Sequence, residues 1–161
     1  MKPINEMKLN IPSVSSNESF ARVAVGAFVS QLDPTVEELA DIKTAVSEAV
    51  TNCTVHAYRE SIGTVYIYAA IYDDRTVLIR IRDKGCGIDD IQTAMQPMWS
   101  SLGGERAGLG FAVMQSFTDS VKVRSKVGSG TTVTMKKRLC LFLCLISIIS
   151  LLFTSCDLKA L

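Results

Sequence analysis

The run Ser47-Glu-Ala-Val-Thr-Asn52-Cys-Thr-Val-His56-Ala-Tyr58 sets two polar side chains into an otherwise small and apolar segment. Glu48 and Asn52 are four residues apart, so on a helix they lie one above the other on one face. Helical steps extend that stripe through Asp41, Ala45, Glu48, Asn52 and His56. The opposite face, Leu39, Ile42, Val46, Val50 and Cys53, reads as core. An amphipathic helix with Glu and Asn outside is ordinary. A carboxylate and an amide carbonyl beside a small Ala also suit a helix that holds a metal-bound phosphate, since magnesium takes hard oxygen ligands and keeps several waters. The rest of the chain decides between these readings.

Residues 5–11 alternate weakly and predict a first strand, ended by Ile11-Pro12. Ser15-Ser-Asn-Glu18 has the form of a capping box, and the helix after it is expected to bury Phe20, Val23, Ala24, Ala27 and Phe28. Arg22 falls off that stripe and is expected to be exposed. Asp33 is a good cap and Pro34 suits a first helical position, so a second helix is expected from there to about Tyr58. Gly63 breaks the chain, and two strand-like runs follow, 64–72 and 76–82, with Asp73-Asp-Arg75 as a hairpin turn. One face of that hairpin is expected to pack on the helices.

A carboxylate then stands at a strand end, followed by two glycines, in Asp83-Lys-Gly85-Cys-Gly87-Ile88. Residues 89–106 have weak periodicity and read as a long irregular segment, of the kind that is usually functional. Gly104-Glu-Arg-Ala-Gly108-Leu-Gly110-Phe111 opens a helix through Phe117. Glycines at a helix start let backbone amides approach an anion. Two last strands, 120–125 and 131–135, flank a Gly128-Ser-Gly130 turn. Helices followed by antiparallel hairpins make an α+β sandwich. There is no βαβ alternation for a Rossmann fold, and the glycine-rich stretch lacks the Lys-Ser/Thr ending of a Walker A loop.

Three pieces together suit a nucleotide. Adenine offers an exocyclic amino donor, for which the Asp83 carboxylate is a natural acceptor. Gly85 and Gly87 remove side-chain bulk, so that a ring can lie against the backbone. The Asn52 carbonyl suits magnesium bridging the phosphates. Gly108 and Gly110 suit an amide cradle, with Arg106 in reach of a terminal phosphate. Glu48, one turn from Asn52, is placed to accept a proton from an attacking hydroxyl or water.

Composition narrows the partners. The 161-residue chain has room for one domain, expected over residues 1–138, and its net charge of +1 supplies no long-range field for nucleic acid. No aromatic-interleaved basic stripe appears, so direct nucleic-acid binding is not expected. The five cysteines form no CxxC, which indicates neither a disulfide framework nor a zinc site and fits a reducing cytosol.

With these residues in place the chain resembles the GHKL, or Bergerat-fold, ATPases. Glu48 to Asn52 matches the N-box, Asp83 to Gly87 the first glycine box and Gly104 to Gly110 the second. Asn17-Glu-Ser-Phe-Ala-Arg22, Gln31-Leu-Asp-Pro34 and Glu48 through Tyr58 resemble the sporulation anti-sigma F factors, a family of serine protein kinases. The resemblance covers about residues 5–137. It implies a Bergerat sandwich: a mixed, mostly antiparallel sheet with helices on one face. It also implies a homodimer that binds a sporulation sigma factor and keeps it from RNA polymerase. With Mg-ATP such a protein phosphorylates a serine of an anti-anti-sigma partner, ending that partner's ability to release sigma. On these positions the resemblance implies Glu48 as general base and Asn52 as magnesium ligand. Asp83 and Gly87 would hold adenine, Arg106, Gly108 and Gly110 the phosphates of ATP or ADP, and Arg22 a partner. His56, the only histidine, would support its helix rather than carry a phosphoryl group. Residues 97–105 form a lid slightly shorter and more glycine-rich than the family's usual form.

Residues 139–161 are the anomaly. Lys136-Lys-Arg138 is followed by an almost unbroken apolar run, Leu139 to Phe153, and then Thr154-Ser-Cys156. The run is short for a spanning helix, which needs about 20 apolar residues. It reads as a tail anchor, as a last buried helix, or as the product of a reading frame that departs from the family's, leaving a tail with no selected role. The last is favoured because the family needs no anchor. Two rival functions follow from these features: an anti-sigma kinase for a stress-response sigma factor, and a membrane-tethered nucleotide-binding module without kinase activity. The leading reading is cytoplasmic.

Overall fold

Alternation within one hairpin decides which way the sheet faces. In the computed structural model, which describes residues 2–59, 61–96 and 109–140, Thr64–Ile71 (β2) and Thr76–Arg82 (β3) pair antiparallel. Val65, Ile67, Ala69 and Ile71 of β2 and Val77, Ile79 and Ile81 of β3 are all buried, on one face, as a two-residue period dictates. Asn5–Pro12 (β1) pairs with β2, Gly130–Arg138 (β5) with β3, and Ser120–Lys126 (β4) with the far side of β5. The order is β1-β2-β3-β5-β4, and every neighbouring pair is antiparallel, where the resemblance implied a mixed sheet.

Ser16–Val29 (α1), Val36–Thr51 (α2) and Gly110–Phe117 (α4) pack together over the apolar face. A short helix, Ile91–Ala94 (α3), interrupts the segment expected to be irregular. α2 lies between α1 and α4, so both of its long stripes are inside. Ile42, Val46 and Val50 are buried as expected, and Ala45, on the expected polar stripe, is fully buried too.

α1 presents a different face from the one its large side chains suggest. Ala21, Val25, Gly26 and Val29 are buried, while Phe20 and Val23 are 50% and 58% exposed. Gly26 is covered by the Lys43 side chain of α2, whose flexible end an added Cβ would crowd. Arg22 is half-buried rather than exposed and donates to the Ser19 hydroxyl at 3.3 Å.

The caps also move. Ser15 is itself helical and makes no side-chain cap bond; the Glu18 amide donates to the Ser15 carbonyl, and the Glu18 carboxylate accepts from Thr51 on α2. The capping box is at the next helix: Thr35 Oγ1 accepts from the Glu38 amide and the Thr35 amide donates to Glu38. Asp33, expected as that cap, lies in the left-handed region (φ 43°) and ends the 3-10 turn Ser30–Leu32. After Thr51 the helix loosens into a π-helical turn, Asn52–Ala57, a distortion frequent at functional sites.

The expected domain boundary at Arg138 falls slightly short. Leu139 is buried and its amide donates to the Arg75 carbonyl, while the Cys140 amide donates to Glu38. Residues 141–161 lie outside the described residues. Among the described residues no helix is long and apolar enough to cross a membrane.

Candidate functional site

The cleft lies where the α2 C-terminus, the loop after β3 and the start of α4 meet above β3 and β5. Asp83, directly after β3, is 3% exposed and held from three sides. Its Oδ1 accepts from the Gly85 amide at 2.9 Å and the Thr131 amide at 3.1 Å, while Oδ2 faces the Cys53 thiol at 3.8 Å. With Oδ1 taken by two amides, Oδ2 is the oxygen left for a ligand donor. Burial, and then the charge of Asp83, push the Cys53 thiol up, so it stays a neutral donor beside that carboxylate.

The two glycines of this loop do something other than clear room for a ring. An added Cβ at Gly85 would collide with the Ala57 carbonyl, and one at Gly87 with the Lys126 carbonyl. Their missing side chains let the loop fit between the π-helical turn and the β4–β5 turn. The Cys86 amide donates to Ala57 O at 3.0 Å, and the Gly128 amide donates to Cys86 O at 2.7 Å. Cys86, Gly87 and Ile88 line the cleft, and Gly85 is not among the lining residues. Gly85 therefore serves the chain's own packing.

Glu48 and Asn52 meet the start of α4. A Cβ added at Gly110 would stand 3.1 Å from Glu48 Oε2 and 3.4 Å from Asn52 Oδ1, so the backbone of α4 begins against both groups. Glu48 is half-buried, and desolvation followed by the charge of Glu18 raises its pKa above the ordinary glutamate value. His56 also lines the cleft, beyond the helix-supporting role expected of it. Its Nδ1 is buried with no hydrogen-bond partner among the described residues, and burial, then Arg59, lower its pKa. His56 thus lines the cleft beside Glu48 and Asn52 while its Nδ1 is turned into the protein.

These features fit a nucleotide. The Asp83 carboxylate, whose Oδ2 meets only the Cys53 thiol, and a helix start without a side chain border an apolar floor that includes Ile81 and Val133. Magnesium also fits: the Asn52 side-chain oxygen stands by the start of α4 and would be its protein oxygen, with phosphates and water completing the shell. Arg106 and Gly108, expected at the phosphates, and the lid at 97–105 lie outside the described residues. Arg22 is not a cleft residue. Two groups that secure Asp83 escape a reading of the sequence. Cys53 counts there only as core, and Thr131 lies 48 residues from Asp83 with no local pattern to connect them.

Comparison with known proteins identifies the family and the fold. Residues 14–137 match the family model described as "Histidine kinase-like ATPase domain". An "Anti-sigma F factor" of Caldanaerobacter subterraneus subsp. tengcongensis is 55% identical over 134 residues, 83% of this chain and 93% of that protein. One from Clostridium acetobutylicum is 50% identical over 138 residues, covering 85% and 96%. Among solved structures, the RsbU and RsbW domains of a Mycobacterium tuberculosis protein superpose with a TM-score of 0.63 at 20% identity, over 85% of this chain and 32% of that one. The mycobacterial sensor histidine kinase MprB superposes with a TM-score of 0.53 at 14% identity, over 83% and 100%. These two share the fold. The chain belongs to the anti-sigma F factor family, on a histidine kinase-like ATPase fold.

Proposed function

We propose that this protein is an anti-sigma factor with protein serine kinase activity. It binds and inhibits a sporulation sigma factor, and with Mg-ATP it phosphorylates a serine of an anti-anti-sigma partner. The observation that carries this reading is the placement of Gly110 against both Glu48 and Asn52. A helix start attracts phosphate, an amide oxygen beside it suits the metal, and a carboxylate beside both suits proton transfer. A module that only bound nucleotide would have no use for the carboxylate.

In this reading Asp83 Oδ2 orients adenine and the floor of the cleft excludes water from its ring. Asn52 holds magnesium, which when bound neutralises charge on the phosphate oxygens. Glu48 Oε2 accepts the proton of the serine hydroxyl. Its raised pKa makes it a better proton acceptor than an exposed glutamate. Arg22 contacts the partner, and the protein works as a cytoplasmic homodimer. The family names of the relatives support the sigma partner.

The test is to mix the full chain with labelled Mg-ATP and the candidate anti-anti-sigma protein, beside Glu48→Gln. Label on a partner serine that disappears in the variant is the expected result. Tight nucleotide binding with no labelled partner would overturn the kinase reading and leave a binding module.

A further inference from the structure

The side of the sheet away from the helices repeats a chemical pattern that the cleft does not use. Strand register aligns two rows across it. One runs Asn10, Tyr66, Arg82, Thr132, Arg124; its neighbour runs Lys8, Tyr68, Arg80, Thr134, Lys122. From β2 to β4 each row presents a phenol, a guanidinium, a threonine hydroxyl and a second cation. The rows lie two residues apart on every strand, about 6.8 Å.

Rings and charges are offered together. The Arg80 guanidinium lies 5.6 Å from the Tyr68 ring centroid, and Lys84 Nζ lies 5.2 Å from that of Tyr66. Arg80, Arg82, Lys122 and Arg124 are all exposed, and Lys136 in the next row adds to them. Glu6 is the only Asp or Glu in any of the five strands, and it is occupied by Lys8 and by the Tyr68 hydroxyl. The net charge of +1 over the whole chain thus conceals one strongly positive face.

We infer that this face binds single-stranded nucleic acid, with phosphates on Arg80, Arg82, Lys122 and Arg124 and bases on Tyr66 and Tyr68. A doubled row of ring plus cation matches a polymer that repeats a planar base and a phosphate. An acidic protein or an anionic lipid surface would meet the same cations, but neither repeats a planar ring and a charge along the two rows as a single strand does. A duplex keeps its bases stacked away from them. A second copy of the face would oppose like charges. Chain order disfavours nucleic acid because the rows are spread from β1 to β5; the register gathers them.

The test is fluorescence anisotropy of labelled oligo(dT) and oligo(rU), each of about 12 nucleotides, titrated with the full chain. Saturable binding of either oligomer is expected, with log affinity falling against log salt at a slope of about −3 for four phosphates. Arg80→Gln with Lys122→Gln should reduce that slope by about half. Tyr66→Leu with Tyr68→Leu should weaken binding about ten-fold or more at every salt, with the slope unchanged. Saturating ATP should displace nothing. No anisotropy change at low salt, or displacement by ATP, would overturn the proposal. So would phosphatidylglycerol vesicles that bind with the same dependence on Arg80 and Lys122 while the tyrosine variant still binds oligomer at full strength. Should a double variant fail to fold, the slope of the parent chain and its indifference to ATP decide.

Discussion

The Thr51 hydroxyl donates a 3.1 Å hydrogen bond to Glu18, which ties a second carboxylate to the helix turn that carries Glu48. Burial first, and the charge of Glu18 second, raise the Glu48 pKa. Glu48 must be deprotonated to accept a proton, so the raised value moves the acid limb of phosphotransfer upward in pH. Glu18→Gln is expected to move that limb to lower pH and leave the plateau in place. A pH profile of kcat/KM checks this, and an unmoved limb would show that Glu18 does not tune the base. The folded chain holds this proton more tightly than the unfolded chain. The group therefore costs stability above its folded pKa, and the cost fades as pH falls through it. Glu48→Gln should raise Tm at neutral pH and not in acid.

Gly87 and Gly128 share a left-handed backbone, φ 75° and 73°, but not a neighbourhood. An added Cβ meets the Lys126 backbone at Gly87 and nothing within 4 Å at Gly128. Gly128→Ala should cost about 1 kcal/mol, the ordinary strain of that conformation. Gly87→Ala should cost about 3 kcal/mol or more, because backbone must move, and the shifted loop should lose nucleotide affinity at least about ten-fold. Denaturant unfolding and a fluorescent-nucleotide titration measure the two effects. Equal effects at the two positions would show that the loop is not clamped.

Lys137 joins three elements. Its Nζ lies 2.8 Å from Asp41 of α2 and 3.0 Å from the Phe117 carbonyl at the end of α4, with the Lys137 and Asp41 side chains 15% and 22% exposed. Removing one partner leaves a poorly hydrated charge, and a cation is lost from a helix C-terminus. Lys137→Met is expected to cost about 2 kcal/mol, and Asp41→Asn added to it much less than the sum of the two. Strict additivity in a double-mutant cycle would reduce this pair to a surface contact.

Arg22 is on α1, the helix that also leaves Phe20 and Val23 exposed. The proposed partner contact at Arg22 lies apart from the nucleotide cleft. Arg22→Ala is expected to weaken partner binding at least about ten-fold while nucleotide affinity stays unchanged. Calorimetric titrations with partner and nucleotide separate the two, and unchanged partner affinity would move the contact elsewhere.

Much of the fold is legible in local pattern. The bounds of β2 and β3 follow from alternation and from the Asp73–Arg75 turn, since side-chain period and turn chemistry are short-range properties. The Glu48–Asn52 pair is legible for the same reason: helical spacing alone puts both on one face. The caps show where local rules stop. Ser15 and Glu18 have the pattern of a capping box, yet Glu18 turns to Thr51, 33 residues away. The buried face of α1 is set by where α2 packs against it, and no periodicity within α1 encodes that.

By itself the sequence determined the succession of elements, the helix carrying Glu48 and Asn52, the carboxylate at the end of β3 and the family. Each depends on neighbours a few residues away or on an ordered set of short motifs. Only the tertiary structure decided what holds Asp83, why Gly85 is glycine, and which residues share the outer face of the sheet. Thr131 reaches Asp83 across 48 residues, and Tyr66 meets Arg124 in one row only through the pairing of four strands. Register is a property of the whole sheet, so the chemistry of its face exists only after the chain has folded.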